Sequence, residues 1–158
     1  MAAVNAARLT AARLMASGLG SGYAPKAPGT AGSLAAALLG AGLLWLSPWA
    51  LLAAAVLAAV GGVWAIRAAN VGDDPGWVVI DEFAGQWITL LGLAAVSPAG
   101  VAVAFLLFRL LDITKPGPIG WADRRQGPLA VMADDVIAGA IGALALLAVR
   151  LIWPQLLA

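Results

Sequence analysis

The chain has 158 residues, of which 63% are hydrophobic and 11% charged, and it contains neither cysteine nor histidine. A soluble domain carries about 25% charged residues, so the composition indicates a membrane protein, and the length suits one domain over residues 1–158. The missing residue types exclude disulfides, thiolate metal sites, Ser-His-Asp triads and phosphohistidine intermediates. The net charge of +1 gives no reason to expect a nucleic-acid partner.

The apolar pattern predicts a helical bundle. The first 26 residues contain three basic residues and no acid, which favours a short helix on the membrane surface, and a turn-rich stretch follows at 18–33. Because proline interrupts a helix, Ser47-Pro48 and Ser97-Pro98 are predicted hairpin tips. The fold class is therefore all-α, a compact bundle of about five membrane-embedded helices plus the N-terminal interfacial helix. The apolar segments lie at 34–46, 49–67, 82–96, 99–111 and 136–153.

The basic residues predict the orientation of the bundle. If the chain crosses the membrane five times, the positive-inside rule places most of them in the cytoplasm. All acids then lie at the cytoplasmic interface, and Arg150 is out of place near the opposite end. Segments 82–96 and 99–111 span only about 20–23 Å, less than the ~30 Å hydrocarbon core of a bilayer. They are expected to tilt little, to thin the bilayer locally, or to lie at the centre of the bundle, surrounded by other helices. The residues on the predicted cytoplasmic side are Arg8, Arg13, Lys26, Arg67, Lys115, Arg124 and Arg125.

Five acids lie beside apolar segments at this interface. Asp81-Glu82 and Asp134-Asp135 each precede a segment and Asp112 follows one. Acids at a helix start also cap backbone N–H groups, so each pair has a structural explanation, but Asp112 faces the unfavourable end of a helix dipole. Carboxylates meeting at a low-dielectric boundary repel one another unless a cation lies between them. Oxygen-only ligands predict Mg²⁺, with Mn²⁺ as a possible substitute.

Basic and hydroxyl groups near these acids favour phosphate chemistry. Arg109 and Lys115 flank Asp112, and Lys26 precedes the stretch 27–33. Backbone N–H groups and hydroxyls of that stretch suit an anion, although it is equally consistent with an ordinary loop in which a hydroxyl caps the helix. The candidate phosphate-binding residues are Lys26, Thr30, Ser33, Arg109 and Lys115. Asp74 and Asp123 are secondary candidates, since each is also typical of a turn or solvated loop.

Four ordered motifs, at 20–34, 79–88, 108–119 and 132–139, resemble the phosphatidylglycerophosphatase A family over about residues 18 to 142. The resemblance implies an all-helical, Mg²⁺-dependent phosphatase of the bacterial inner membrane, facing the cytoplasm, that converts phosphatidylglycerophosphate to phosphatidylglycerol. One departure is the loop at 125–130, where many members are glycine-rich. By position, the implied metal ligands are Asp81, Glu82, Asp112, Asp134 and Asp135, and the implied catalytic residues are Asp81, Asp112 and Lys115.

Several alternatives stay open. The nucleophile is either a metal-activated water, favoured because no Asp-x-Asp motif of the haloacid dehalogenase type is present, or an aspartate. The core motif of CDP-alcohol phosphotransferases is missing. A small cation channel or transporter with acids at its cytoplasmic mouth is the non-enzymatic alternative, although no acid lies in mid-membrane under the predicted topology. The sequence predicts no oligomeric state.

Overall fold

The computed structural model describes residues 2–70 and 75–153, with side chains from residue 4 onward. Within these ranges the chain forms α-helices and one 3₁₀ turn, Ser21–Tyr23, and no strand, which confirms the predicted all-α class. The helices are α1 (Ala2–Ala16), α2 (Pro28–Leu46), α3 (Pro48–Ala69), α4 (Ile80–Leu90), α5 (Pro98–Thr114), α6 (Pro118–Asp123) and α7 (Pro128–Ile152).

The predicted helix breaks at the two Ser-Pro steps are confirmed. Ser47 ends α2 and caps α3, because its hydroxyl accepts a hydrogen bond of 3.2 Å from the Trp49 backbone N–H. Ser97 caps α5 in the same way, accepting from the Gly100 N–H at 3.0 Å. Proline at the first helical position loses no intrahelical hydrogen bond. Each Ser-Pro step therefore interrupts the apolar sequence and begins a new helix.

Two predicted boundaries are wrong. The apolar segment 82–96 is helical only to Leu90, and turns occupy the residues that follow. The long polar connection predicted at 112–135 contains the end of α5, all of α6 and the start of α7. Because α7 begins at Pro128, Asp134 and Asp135 lie inside this helix rather than in front of it. They are therefore buried members of a helix face and not caps.

Three of the described helices, α2, α3 and α7, are long and apolar enough to cross a membrane. Only 28–33% of each span is buried within the protein, so most of their apolar side chains face outward, as lipid contact requires. In contrast, α4 has 11 residues, most of them buried, and extends about 16 Å at ~1.5 Å per residue. It lies among α2, α3, α5 and α7 as the central helix.

The position of α4 is fixed by close packing and by one long-range hydrogen bond. A Cβ atom added at Gly139 of α7 would meet the backbone of Gly85 in α4, so these two helices approach as closely as glycine allows. On the other side of α4, Trp87 Nε1 donates to the Ala36 carbonyl of α2 at 2.8 Å. Packing thus holds α4 against α7 about one turn beyond the acids that each helix carries.

Candidate active site

The structure brings together the five acids that the sequence singled out. Asp81 and Glu82 lie in the first turn of α4, and Asp112 lies in the last turn of α5. Asp134 and Asp135 lie on the buried face of α7. Oxygens of Asp81, Glu82 and Asp135 lie within 4.8 Å of one another, and so do oxygens of Asp112, Asp134 and Asp135. Asp135 belongs to both groups and therefore joins the two halves of the cluster.

These acids line a cavity of about 300 Å³ at the end of the bundle. The start of α2 contributes Pro28 and Gly29, and the loop before α4 contributes Gly76 and Val78. Gly29 lies so close to Glu82 that an added Cβ would meet the carboxylate oxygen. The polar side chains of the lining are those of Asp81, Glu82, Asp112, Lys115, Asp123, Arg125, Asp134 and Asp135.

Lys115 forms the principal cationic contact of the cluster. Its ammonium lies 2.7 Å from Asp123 and 3.8 Å from Asp112, and it donates a hydrogen bond to Asp134. Burial alone lowers the pKa of Lys115, but the hydrogen bonds to Asp123 and Asp134 outweigh it and raise the pKa above its ordinary value. The side chain therefore stays protonated at neutral pH, as a group that neutralises phosphate must.

Arg109 lies behind the acids rather than in the lining of the cavity described by the structure. Its guanidinium pairs with Asp112, lies 3.9 Å from Glu82 and donates to Ser33 Oγ at 3.2 Å. Ser33 in turn donates to the Gly29 carbonyl at 2.8 Å. Arg109 and Ser33, both predicted to bind phosphate, are thus placed where they link α2, α4 and α5.

Of the remaining predicted residues, only Asp123 belongs to the described lining of the cavity. Lys26 and Thr30 are exposed and outside its described lining. The stretch 27–33 consists of the N-cap residue and the first six residues of α2, and no side-chain hydrogen bond caps this helix start. Asp123 is 45% exposed and belongs to the lining through its pair with Lys115. Asp74 lies outside the described residues.

The cluster fits a hard divalent cation. One oxygen each of Glu82, Asp134 and Asp135 is buried without a hydrogen-bond partner among the described residues. Buried carboxylate oxygens without partners are costly, and a cation among them removes that cost. The donor set offers oxygen only, which suits Mg²⁺ or Mn²⁺ and disfavours thiophilic metals.

Two polar residues in or near the site were not among the candidates from the sequence, and one of them, Gln86, lies outside the described lining of the cavity. Gln86 is fully buried one turn after Glu82, and both atoms of its amide lack partners among the described residues. Its four-residue spacing from Glu82 was the available signal. Arg125 lines the cavity, and its guanidinium lies 4.0 Å from the ring centroid of Trp121. The sequence indicated a cytoplasmic loop there, either solvated or in contact with lipid headgroups.

The fold and site define a helical membrane protein with an acidic, cation-accepting pocket suited to phosphate esters. The family model described as phosphatidylglycerophosphatase A matches residues 14–150. The chain therefore belongs to the phosphatidylglycerophosphatase A family and is a phosphoric monoester hydrolase. This membership confirms the resemblance that the four motifs indicated, and it favours the enzyme over the channel.

Three curated relatives extend the comparison. Phosphatidylglycerophosphatase A of Escherichia coli (strain K12) is 42% identical over 146 residues, 89% of this chain and 84% of that protein. The Haemophilus influenzae protein of the same name is 37% identical over 142 residues, 87% of each chain. A Bacteroides thetaiotaomicron protein, named provisionally as a phosphatidylinositol-3-phosphatase, is 40% identical over 139 residues, 80% of this chain and 85% of that protein. No solved structure matches.

Proposed function

We propose that the chain hydrolyses the terminal phosphomonoester of phosphatidylglycerophosphate, releasing phosphate and phosphatidylglycerol. The observation that carries the proposal is the convergence of five carboxylates and Lys115 in one cavity, in a chain of this family. The names of the relatives from Escherichia coli and Haemophilus influenzae supply the substrate.

The cofactor in this proposal is Mg²⁺, which Mn²⁺ can replace. Its ligands are drawn from Asp81, Glu82, Asp112, Asp134 and Asp135, with Asp135 central because it belongs to both oxygen groups. When bound, the cation supplies Lewis-acid neutralisation of the phosphoryl oxygens.

The side chains of the cavity perform the remaining tasks. Hydrolysis forms a bond between a water oxygen and phosphorus and breaks the bond to the glycerol oxygen, which takes up a proton. Asp81, in the lining, takes the proton of the attacking water, and Asp112, held by Arg109, orients that water. The ammonium of Lys115 binds the equatorial oxygens, whose negative charge must be neutralised in the transition state.

The enzyme works in the bacterial inner membrane with its cavity facing the cytoplasm. Arg67 at the end of α3 and Lys115 at the end of α5 lie at the cavity end of the bundle, in agreement with the positive-inside rule. Trp45, Trp49 and Trp153 are exposed near the opposite ends of α2, α3 and α7, where an interfacial aromatic belt is expected. A lipid headgroup that projects from the inner leaflet then reaches the cavity.

The test measures phosphate release from phosphatidylglycerophosphate by the purified full chain in detergent micelles. We expect turnover that a chelator abolishes and that Mg²⁺, or less fully Mn²⁺, restores. Asp112→Asn should abolish it, whereas Asp123→Asn, a change outside both oxygen groups that weakens only the pair with Lys115, should cause a smaller loss. Turnover that persists in chelator would contradict the metal assignment.

The substrate is tested separately, because the Bacteroides thetaiotaomicron relative carries the name of a different lipid. Phosphatidylinositol 3-phosphate is therefore offered in the same micelles at the same mole fraction. We expect a higher kcat/KM for phosphatidylglycerophosphate. The opposite preference would replace the proposed substrate, and cation flux into liposomes without turnover of either lipid would favour the channel.

A further inference from the structure

Acidic side chains outnumber basic ones in the lining of the cavity, and the two basic side chains differ in how many carboxylates lie near them. Six carboxylates face two cations, Lys115 and Arg125. Lys115 lies within 4 Å of three carboxylates. Arg125 has no carboxylate within that distance among the described residues, so its guanidinium is the cation of the described lining that is open to an incoming anion.

Trp121 holds Arg125 at the edge of the cavity. The guanidinium lies 4.0 Å from the centroid of the indole ring, a cation–π contact that leaves its N–H groups available to an acceptor. An arginine held in this way loses less side-chain entropy when it binds than a freely rotating one.

Helix α6, which carries Trp121, is itself anchored to the site. Ile119 of α6 is fully buried, and a Cβ added at Gly120 would press on the Lys115 carbonyl. Asp123, the last residue of α6, pairs with Lys115 at 2.7 Å. The position of Arg125 is therefore tied to the acidic cluster and not to a free loop.

The lipids named for the relatives carry two phosphates each. Phosphatidylglycerophosphate and phosphatidylinositol 3-phosphate differ in headgroup, but both have a phosphodiester next to the diacylglycerol and a phosphomonoester further out. The proposed function assigns the monoester to the cation site and Lys115. The diester also carries a negative charge. The six carboxylates in the lining would repel it unless a cation lies next to it.

We infer that Arg125, positioned by Trp121, binds the phosphodiester of the lipid substrate and so determines specificity for lipids that carry both phosphates. The inference rests on the proposed function. A planar guanidinium binds phosphate through two parallel hydrogen bonds, which a lysine at the same place cannot reproduce. Because the diester does not react, Arg125 acts on substrate binding rather than on the chemical step.

The test compares kcat and KM for phosphatidylglycerophosphate in mixed micelles of fixed composition. We expect Arg125→Ala to raise KM at least about tenfold with little change in kcat, because even one of the two lost charge-assisted hydrogen bonds is worth that factor. Arg125→Lys should recover part of the loss, and Trp121→Leu should raise KM by a smaller factor. Arg124→Ala is the matched control, because Arg124 is an exposed neighbour outside the lining of the cavity.

Product inhibition distinguishes whether Arg125 binds the phosphodiester or the phosphomonoester of the lipid. Phosphatidylglycerol keeps the diester and lacks the monoester, so Arg125→Ala should raise its inhibition constant by the same factor as KM. Diacylglycerol, which lacks both phosphates, should inhibit both proteins equally. Thermal unfolding in the same detergent checks that each variant is folded.

Three outcomes would overturn the inference. Equal KM for the Arg124 and Arg125 variants would show that these arginines only attach the protein to the micelle surface. A loss in kcat with unchanged KM and inhibition constant would place Arg125 at the reacting phosphate. Absence of turnover by the unaltered protein would overturn the proposed function and this inference with it, whereas turnover without an Arg125 effect overturns the inference alone.

Discussion

The two ends of the helical bundle are built differently. At the end opposite the cavity, Leu51, Leu90 and Leu146 are almost completely buried and pack into one apolar cluster with Leu44 and Leu93. At the cavity end, α4, α5 and α7 bury carboxylates and leave several of their oxygens without partners among the described residues. One end removes apolar surface from water and lipid, and the other concentrates like charge.

This difference predicts that stability and activity can be changed separately. Buried leucine stabilises a membrane bundle by close packing, because lipid chains are as apolar as leucine and supply no hydrophobic driving force between helices. Buried carboxylates repel one another and lose hydration, so the cavity end lowers the stability that the other end provides. A substitution at the cavity end should therefore lower turnover and preserve stability. A substitution at the apolar end should lower stability and preserve the turnover of the protein that remains folded.

The largest effect is expected for Asp135→Asn, which removes the carboxylate shared by both oxygen groups. We expect kcat/KM to fall by about 10³-fold, the scale of losing a central electrostatic group of an active site. The melting temperature in detergent should stay the same or rise, because one of the repelling charges is gone. Phosphate release and thermal unfolding are measured on the same preparation. Turnover within tenfold of the unaltered protein would show that the cluster is not the catalytic centre.

The converse profile is expected for Leu51→Ala in the apolar cluster. Leu51 is fully buried, so its truncation should lower the free energy of unfolding by about 2–5 kcal/mol. The kcat of the protein that remains folded should not change, because the cavity is at the other end of α3. Leu52→Ala is the matched control, since Leu52 is 39% exposed. A similar loss of stability in both variants would contradict the assigned core.

Gly139→Ala tests the link between the two ends and should have an intermediate effect. Its new methyl group would meet the backbone of Gly85, so we expect about 1–3 kcal/mol of destabilisation from overpacking. Because α4 carries Asp81 and Glu82 and α7 carries Asp135, separating the helices should also lower kcat. Gly42→Ala is the control, since nothing lies within 4 Å of a Cβ there. Unchanged stability and turnover in Gly139→Ala would show that the close approach is unnecessary.

The sequence predicted the helical class and the helix breaks, because charge, proline and serine act locally. It also predicted which acids would come together, because hydrophobic segments of alternating direction bring the same ends of helices into contact. The boundaries around Asp134 and Asp135 were wrong for a physical reason. When nearly every position is apolar, hydrophobic periodicity no longer marks where a helix begins, so Pro128, a residue typical of the first helical position, was the remaining local signal for the start of α7.

The roles of the arginines were harder to predict, because a charge pattern does not show which partner a long side chain selects. Arg109 was predicted to bind phosphate, but its guanidinium lies among Glu82, Asp112 and Ser33. Arg125, assigned to a loop that is solvated or contacts lipid headgroups, lines the cavity. The pair of Arg109 with Asp112 follows from their i,i+3 spacing. The contacts of Arg109 with Glu82 and Ser33 join different helices, and no local spacing encodes them.

The smallest effect is expected for Arg150→Ala. Arg150 is exposed in the last turn of α7, beyond the apolar cluster. A cation near a helix C-terminus contributes about 0.3–1 kcal/mol through the helix dipole. Turnover should therefore stay within about twofold of the unaltered protein, as for most exposed substitutions, and phosphate release at saturating lipid measures it. A loss comparable with that of Asp135→Asn would mean that the far end of α7 controls the cavity, and the separation of a stabilising end from a reactive end would then be wrong.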